Sequence, residues 1–141
     1  VVDLLRYNRI VPTVVDLNID HVRALRERGV EAVYGDATRP ETLAAAGVKT
    51  SSSLILGSAG MANAIEVIRT ARELNPGVRV LARSSYLREV DGLKAAGADA
   101  VYSGEGEVAL AFVEDILEAL GATPEQIERE RARAHEALSG S

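Results

Sequence analysis

The apolar positions of this chain fall into two patterns, short unbroken runs and stripes at every third or fourth residue. Runs of roughly four to eight apolar residues read as buried strands, and stripes read as amphipathic helices. Pro12–Leu17, Val30–Tyr34, Ser53–Leu56, Val78–Ala82 and Asp99–Tyr102 are the runs. Between them lie the stripes Ile19, Val22, Leu25, then Met61, Ala64, Ile65, Ile68, Ala71, then Leu87, Val90, Leu93, and finally the strongly apolar stretch Val108–Leu120. Val1–Asn8 opens the chain as a helix with Val1, Leu4 and Leu5 on one face.

Boundary residues support the same alternation. Asn18 is placed to cap the helix that starts at Ile19, and Gly29, Gly47, Gly97 and Gly121 stand where helices stop. Thr38-Arg39-Pro40-Glu41 and Thr123-Pro124-Glu125-Gln126 read as capping boxes, and Asn75-Pro76-Gly77 as a turn. Arg28-Gly29-Val30-Glu31-Ala32-Val33-Tyr34-Gly35 is echoed by Ala96-Gly97-Ala98-Asp99-Ala100-Val101-Tyr102-Ser103, which predicts one helix-to-strand turn used twice. The helix expected to end near Leu138 has only Ile127, Ala134 and Leu138 as an apolar side, so it is expected to pack weakly or against another chain.

Unbroken apolar strands that alternate with helices mean a parallel sheet covered on both faces. The expected fold class is therefore α/β, a Rossmann-like doubly wound sheet with extra C-terminal helices. Residues 1–121 are expected to form this domain, lacking its first strand, and 122–141 a polar helix and tail.

Composition narrows the function. The 141 residues contain no cysteine, which removes disulfides, thiolate nucleophiles and cysteine-based zinc sites and fits a reducing cytosol. A net charge of −5 argues against nucleic acid as the partner, because phosphate binding needs a basic face. No apolar run approaches the roughly 18 residues of a membrane span, so the segment is not expected to insert into a bilayer.

The run Thr13-Val14-Val15-Asp16 stops at a carboxylate, and in open parallel sheets ligands bind at the carboxyl ends of the strands. There a carboxylate can accept both hydroxyl hydrogens of an adenosine ribose; it can also merely cap the next helix. In the dinucleotide-binding unit this acid follows a GxGxxG loop by about 20 residues, and counting back from Asp16 passes Val1. Asp36, after the next run and Gly35, brings a second carboxylate to the same rim. His21 reads as an exposed helix histidine, since a metal or acid–base role needs converging partners. Ser51–Ser53 lack a neighbouring base and Ser58-Ala59-Gly60 lacks the nucleophile elbow, so neither catalytic nor metal residues are expected.

VVDLN at the second strand, VYGDATRPETLAAAGV after the third, SLIL, VRVLAR and AAGADAVY together resemble the TrkA-N or RCK N-terminal domain family over nearly the whole chain. FVEDILEALGATPEQIERERARAHEAL is similar to the end of the cytosolic domains of Kef-type potassium efflux antiporters. The resemblance implies a cytoplasmic module at the inner face of the bacterial membrane that binds NAD(H), ATP/ADP or AMP. It further implies pairing as a homodimer and gating of ion flux through a membrane transport domain, without catalysis. It implies adenosine ribose at Asp16 with Leu17 and Asn18, adenine beside Asp36 and Ala37, and contacts from Ser58 and Ala59; Arg83 either faces a phosphate or carboxylate or is an exposed or structurally paired arginine. Asp3 and Ser103 align with basic residues of glutathione-gated members, and neither is basic here, so glutathione gating is not carried over. The alternative class is the nucleotide half of an NAD(P)-dependent oxidoreductase, which the fold also suits.

The strand order 3-2-1-4-5-6 makes the first strand central. Without it, the strand ending at Asp16 and the strand Ser53–Leu56 would stand about 9–10 Å apart, leaving buried, unpaired backbone edges. The first strand and its glycine loop are missing from the chain as given. The natural polypeptide is expected to carry them upstream of Val1, or to borrow a strand from a neighbour.

Overall fold

The computed structural model describes residues 1–57 and 61–138. Among these residues, five strands and seven α-helices follow one another as α1 (Val2–Tyr7), β1 (Thr13–Asp16), α2 (Ile19–Glu27), β2 (Glu31–Tyr34), α3 (Pro40–Ala45), β3 (Ser53–Leu56), α4 (Met61–Leu74), β4 (Arg79–Ser84), α5 (Val90–Ala96), β5 (Ala100–Ser103), α6 (Gly104–Ala119) and α7 (Pro124–Leu138). Single 3₁₀ turns at Val48–Thr50 and Leu87–Glu89 precede β3 and α5. Every strand pairing among the described residues is parallel, which confirms the α/β class read from the sequence.

The chain divides into two compact units, residues 1–52 with 69–78, and residues 53–68 with 79–141. In the first unit β1 pairs with β2 in the register Thr13↔Glu31 to Asp16↔Tyr34. Val22 and Leu43 are fully buried there, with Val30, Val48, Ala71 and Val78 beside them in the core. Burying a Val or Leu side chain contributes about 1.5–3 kcal/mol, so this small core rests on few residues. The Asn75 side-chain amide donates to the Val48 and Ser51 carbonyls, both at 2.9 Å, and ties the end of α4 to the 3₁₀ turn.

The second unit is a three-stranded sheet in the order β3-β4-β5. Val67, Ile68, Val80, Val90, Leu93, Val101 and Leu110 fill its core. The Asp99 carboxylate accepts the Val80 N–H at 2.7 Å, while the Asp99 N–H reaches the Val80 carbonyl at 2.8 Å, locking β4 to the approach of β5. β1 and β3 each have one strand neighbour among the described residues, so the six-strand order is not completed.

The echoed turn is used twice. Gly29 and Gly97 both take positive φ, 79° and 118°. Each is followed by an N–H that reaches back over the helix end, Val30 to the Leu25 carbonyl and Ala98 to the Leu93 carbonyl, at 3.0 and 3.1 Å. This is the Schellman closure, which needs a residue without a Cβ penalty in the left-handed region.

Two boundaries differ from expectation. Arg39, not Thr38, stands at the cap position of α3 and gives no side-chain cap, because the Thr38 hydroxyl is committed to Asp36. α6 starts at Gly104, four residues before Val108, since Ser103 caps it through a hydroxyl that accepts the Gly106 N–H at 3.1 Å. α7 folds back antiparallel along α6. Arg131 grips Glu114 with two hydrogen bonds of 2.5 and 2.9 Å, and His135 Nε2 lies 3.4 Å from Glu107. No residue of α7 is fully buried, so polar pairing does much of the docking that its thin apolar side cannot.

The Thr123 capping box does form, with Gln126 N–H on Thr123 Oγ1 at 3.2 Å and Thr123 N–H on Gln126 Oε1 at 2.8 Å. Thr123→Ala is expected to lower the local stability of α7 by about 1 kcal/mol. Amide hydrogen exchange in the first turn of α7 should then accelerate roughly fivefold while the β4 and β5 amides keep their protection.

Candidate functional site

Parallel pairing puts the carboxyl ends of β1 and β2 side by side. The Gly35 N–H donates to the Asp16 carbonyl at 3.0 Å and extends the ladder one step past β2. Asp16 and Asp36 therefore leave the same rim of one two-stranded sheet. The close fit depends on Gly35, since a Cβ there would lie 2.9 Å from Thr42 Cγ2 on α3.

Asp16 is half-buried and its two oxygens have separate duties. Oδ1 accepts the Asn18 N–H at 2.8 Å, and Oδ2 lies 3.2 Å from His21 Nδ1. An ionised carboxylate offers about four lone-pair directions, so one acceptor direction remains on each oxygen. That inventory fits a vicinal diol. Asn18 does what its position predicts, accepting the Asp20 and His21 N–H groups at 2.9 and 3.3 Å to cap α2. Leu17, between them, exposes its side chain to solvent.

Asp36 is organised differently. Its Oδ1 accepts both the Thr38 hydroxyl, at 2.7 Å, and the Thr38 N–H, at 2.9 Å. The hydroxyl bond, then the backbone bond, with a lesser contribution from Arg39, holds the carboxyl below the ordinary aspartate value of 3.8. At neutral pH the group is therefore an acceptor only, and Oδ2 receives no hydrogen bond from a described residue. Ala37 is half-buried beside it.

Arg83 ends one residue before the last of β4, in the second unit, with an exposed side chain and no side-chain partner among the described residues. Ser58 and Ala59 lie outside the described residues. The structure thus brings together Asp16, Leu17, Asn18, Asp36 and Ala37. Sequence reasoning missed His21 and Thr38 as partners of the two acids. The signal for His21 was there: with Asn18 as cap it occupies the third helical position, and helix side chains lean toward the N-terminus, here toward Asp16.

Cavities among the described residues lie elsewhere. One of about 580 Å³ sits at the amino ends of β1 and β2, lined by Thr13, Arg26, Glu31, Ala45 and Gly47. Another of about 260 Å³ lies in the second unit against Lys94, Tyr102, Glu107 and His135. No described group of three or more His, Asp or Glu residues could hold a metal ion, and no described helix is long and apolar enough to cross a membrane.

The TrkA-N domain family matches residues 1–104. The putative cation/proton antiporter YbaL of Escherichia coli (strain K12) is 36% identical over 101 residues, 72% of this chain and 18% of that protein. K(+) efflux antiporter 3, chloroplastic, of Arabidopsis thaliana is 29% identical over 112 residues, 79% of this chain and 14% of that protein. The chain thus spans less than a fifth of the length of these relatives. The crystal structure of the TrkA-N domain of the E. coli inner membrane protein ybaL superposes with a TM-score of 0.75 at 34% identity, over 79% of this chain and 83% of that one. The fold is shared at lower identity with the GsuK channel bound to NAD (TM-score 0.69, 23% identity, 80% of this chain and 20% of that one). It is shared also with the AMP-bound Kef CTD of Shewanella denitrificans (TM-score 0.61, 20% identity, 91% and 97%).

The lowered pKa of Asp36 has a signed consequence. A carboxyl whose folded pKa lies below its unfolded one contributes stability above the unfolded value and loses it as pH falls through the folded value. Thr38→Val removes the hydroxyl donor, so the Asp36 titration followed by carboxyl-carbon NMR should move up toward the ordinary range. The stability difference between wild type and variant should be full at neutral pH and shrink in acid below about pH 4. An unchanged Asp36 titration in the variant would contradict this assignment.

Proposed function

This chain belongs to the TrkA-N domain family, and on that premise we propose that it is a regulatory module that binds an adenine nucleotide at the β1–β2 rim and biases a monovalent-cation antiporter. One observation carries the reading: the Gly35 N–H bond to the Asp16 carbonyl, which sets two differently prepared carboxylates on one rim. Asp16, flanked by Leu17 and Asn18, takes the ribose hydroxyls on its two remaining acceptor directions. Asp36, ionised and with Oδ2 open, accepts the exocyclic amino group of adenine, with Ala37 beside it. NAD(H), AMP and ATP/ADP share the adenosine half that this rim reads, and the NAD- and AMP-bound states of fold neighbours support that class.

The module acts by binding, not by turnover, and works at the cytoplasmic face of a membrane transport domain. Names of relatives as cation/proton and potassium efflux antiporters support this placement. Regulation requires that the nucleotide bind one arrangement of the assembly more tightly than another. The moving assembly is a homodimer. Its support lies on α6 and its C-terminal cap, where Val108, Phe112, Ile116 and the cap residue Leu120 recur at every fourth residue and are each more than half exposed. Such a row is the ridge that interdigitates in common helix packing, and a second copy presents the same ridge in a two-fold contact.

Calorimetry with AMP, ATP and NADH, paired with sedimentation, tests the proposal. Asp16→Ala is expected to weaken nucleotide binding at least tenfold and leave the dimer intact. Phe112→Asp is expected to yield monomers. Cofactor turnover by the protein, or undiminished nucleotide affinity in Asp16→Ala, would overturn the reading.

A further inference from the structure

His21 stands in the first turn of α2, where the positive end of the helix dipole and the unpaired N–H groups disfavour a cation and favour an acceptor. Its Nδ1 is instead turned back toward the rim, 3.2 Å from Asp16 Oδ2. An ionised carboxylate can only accept, so the imidazole Nδ1–H donates. The Asn18 N–H holds the other oxygen, Oδ1, at 2.8 Å. Two donors on two different oxygens fix the carboxylate plane about both side-chain torsions, and each oxygen keeps one lone pair directed away from its donor. A carboxylate held by Asn18 alone could still turn about its last torsion, and a diol would then have to order it on binding, at a cost in affinity.

We propose that His21 is a positioning residue that fixes the Asp16 carboxylate for recognition of a ribose diol. The inference rests on the nucleotide reading of the rim and adds a residue to it. His21 is largely exposed, with 67% of its side chain accessible against 32% for Asp16, so its replacement removes little packing. The effect of losing it should therefore appear in diol recognition and not in folding. A glutamine at the same helical position carries an amide N–H donor on a side chain long enough to reach back toward the rim.

The test compares binding of AMP with that of 2′,3′-dideoxyadenosine monophosphate, which lacks the diol, by titration calorimetry, alongside thermal unfolding of each variant. His21→Ala should weaken AMP about three- to tenfold, the range of one hydrogen bond, while leaving the dideoxy analogue and the melting temperature nearly unchanged. His21→Gln should restore much of the preference for AMP. Asp16→Ala should abolish that preference altogether. If Asp16→Ala abolishes the preference but His21→Ala preserves it, the positioning role is overturned and the nucleotide reading stands. If Asp16→Ala changes neither affinity, the rim is not the ribose site and both fall together.

Discussion

A single step of parallel ladder, the Gly35 N–H on the Asp16 carbonyl, is the constraint on which the rest depends. Register in a parallel pair leaves little freedom: once Thr13 faces Glu31, the chain must deliver Asp16 beside Tyr34 and the two following loops to one rim. The acids then diverge through local chemistry. Asp16 spends one acceptor on a backbone N–H and one on an imidazole, and keeps both oxygens in play. Asp36 spends one oxygen on two bonds from Thr38 and keeps the other. Two carboxylates with the same strand-end origin thereby acquire complementary abilities, one for a diol and one for a single donor.

Around this rim the chain is built economically. Two small cores of Val, Leu, Ile and Ala hold the two units, and aromatic residues contribute no buried side chain to either. Glycine closures at Gly29 and Gly97 let each helix turn into its strand within three residues. The polar helix α7 is retained by Arg131–Glu114 and His135–Glu107 pairs that supplement its thin apolar side. It leaves the four-residue ridge of α6 open, so covering one side of α6 and exposing the other belong to the same design.

Much of the fold was legible in the residues because its signals are local. Every strand run appeared within two residues of its place, Asn18 capped α2, and the Thr123 box closed on Gln126 as its spacing implies. The misreading at Thr38 has a plain cause. A threonine three residues before a glutamate looks like a cap, but an aspartate two residues upstream competes for the same hydroxyl and wins. Local side-chain bonds of this kind trade caps for turns. Asp16 and Asp36 were legible as strand-end acids. What they bond to was not, since His21 looked like any exposed helix residue until α2 was built on its cap. Pairing was less legible than the strands themselves: β1 and β3 each have one strand partner among the described residues, and no local pattern states which one.

The most direct measurement is a crystal structure of the protein grown with AMP. The account predicts both ribose hydroxyls within hydrogen-bond distance of the Asp16 oxygens and the adenine amino group on Asp36 Oδ2. An adenosine seated instead in the groove at Thr13 and Gly47, or one that leaves Asp16 bonded only to Asn18 and His21, would contradict it.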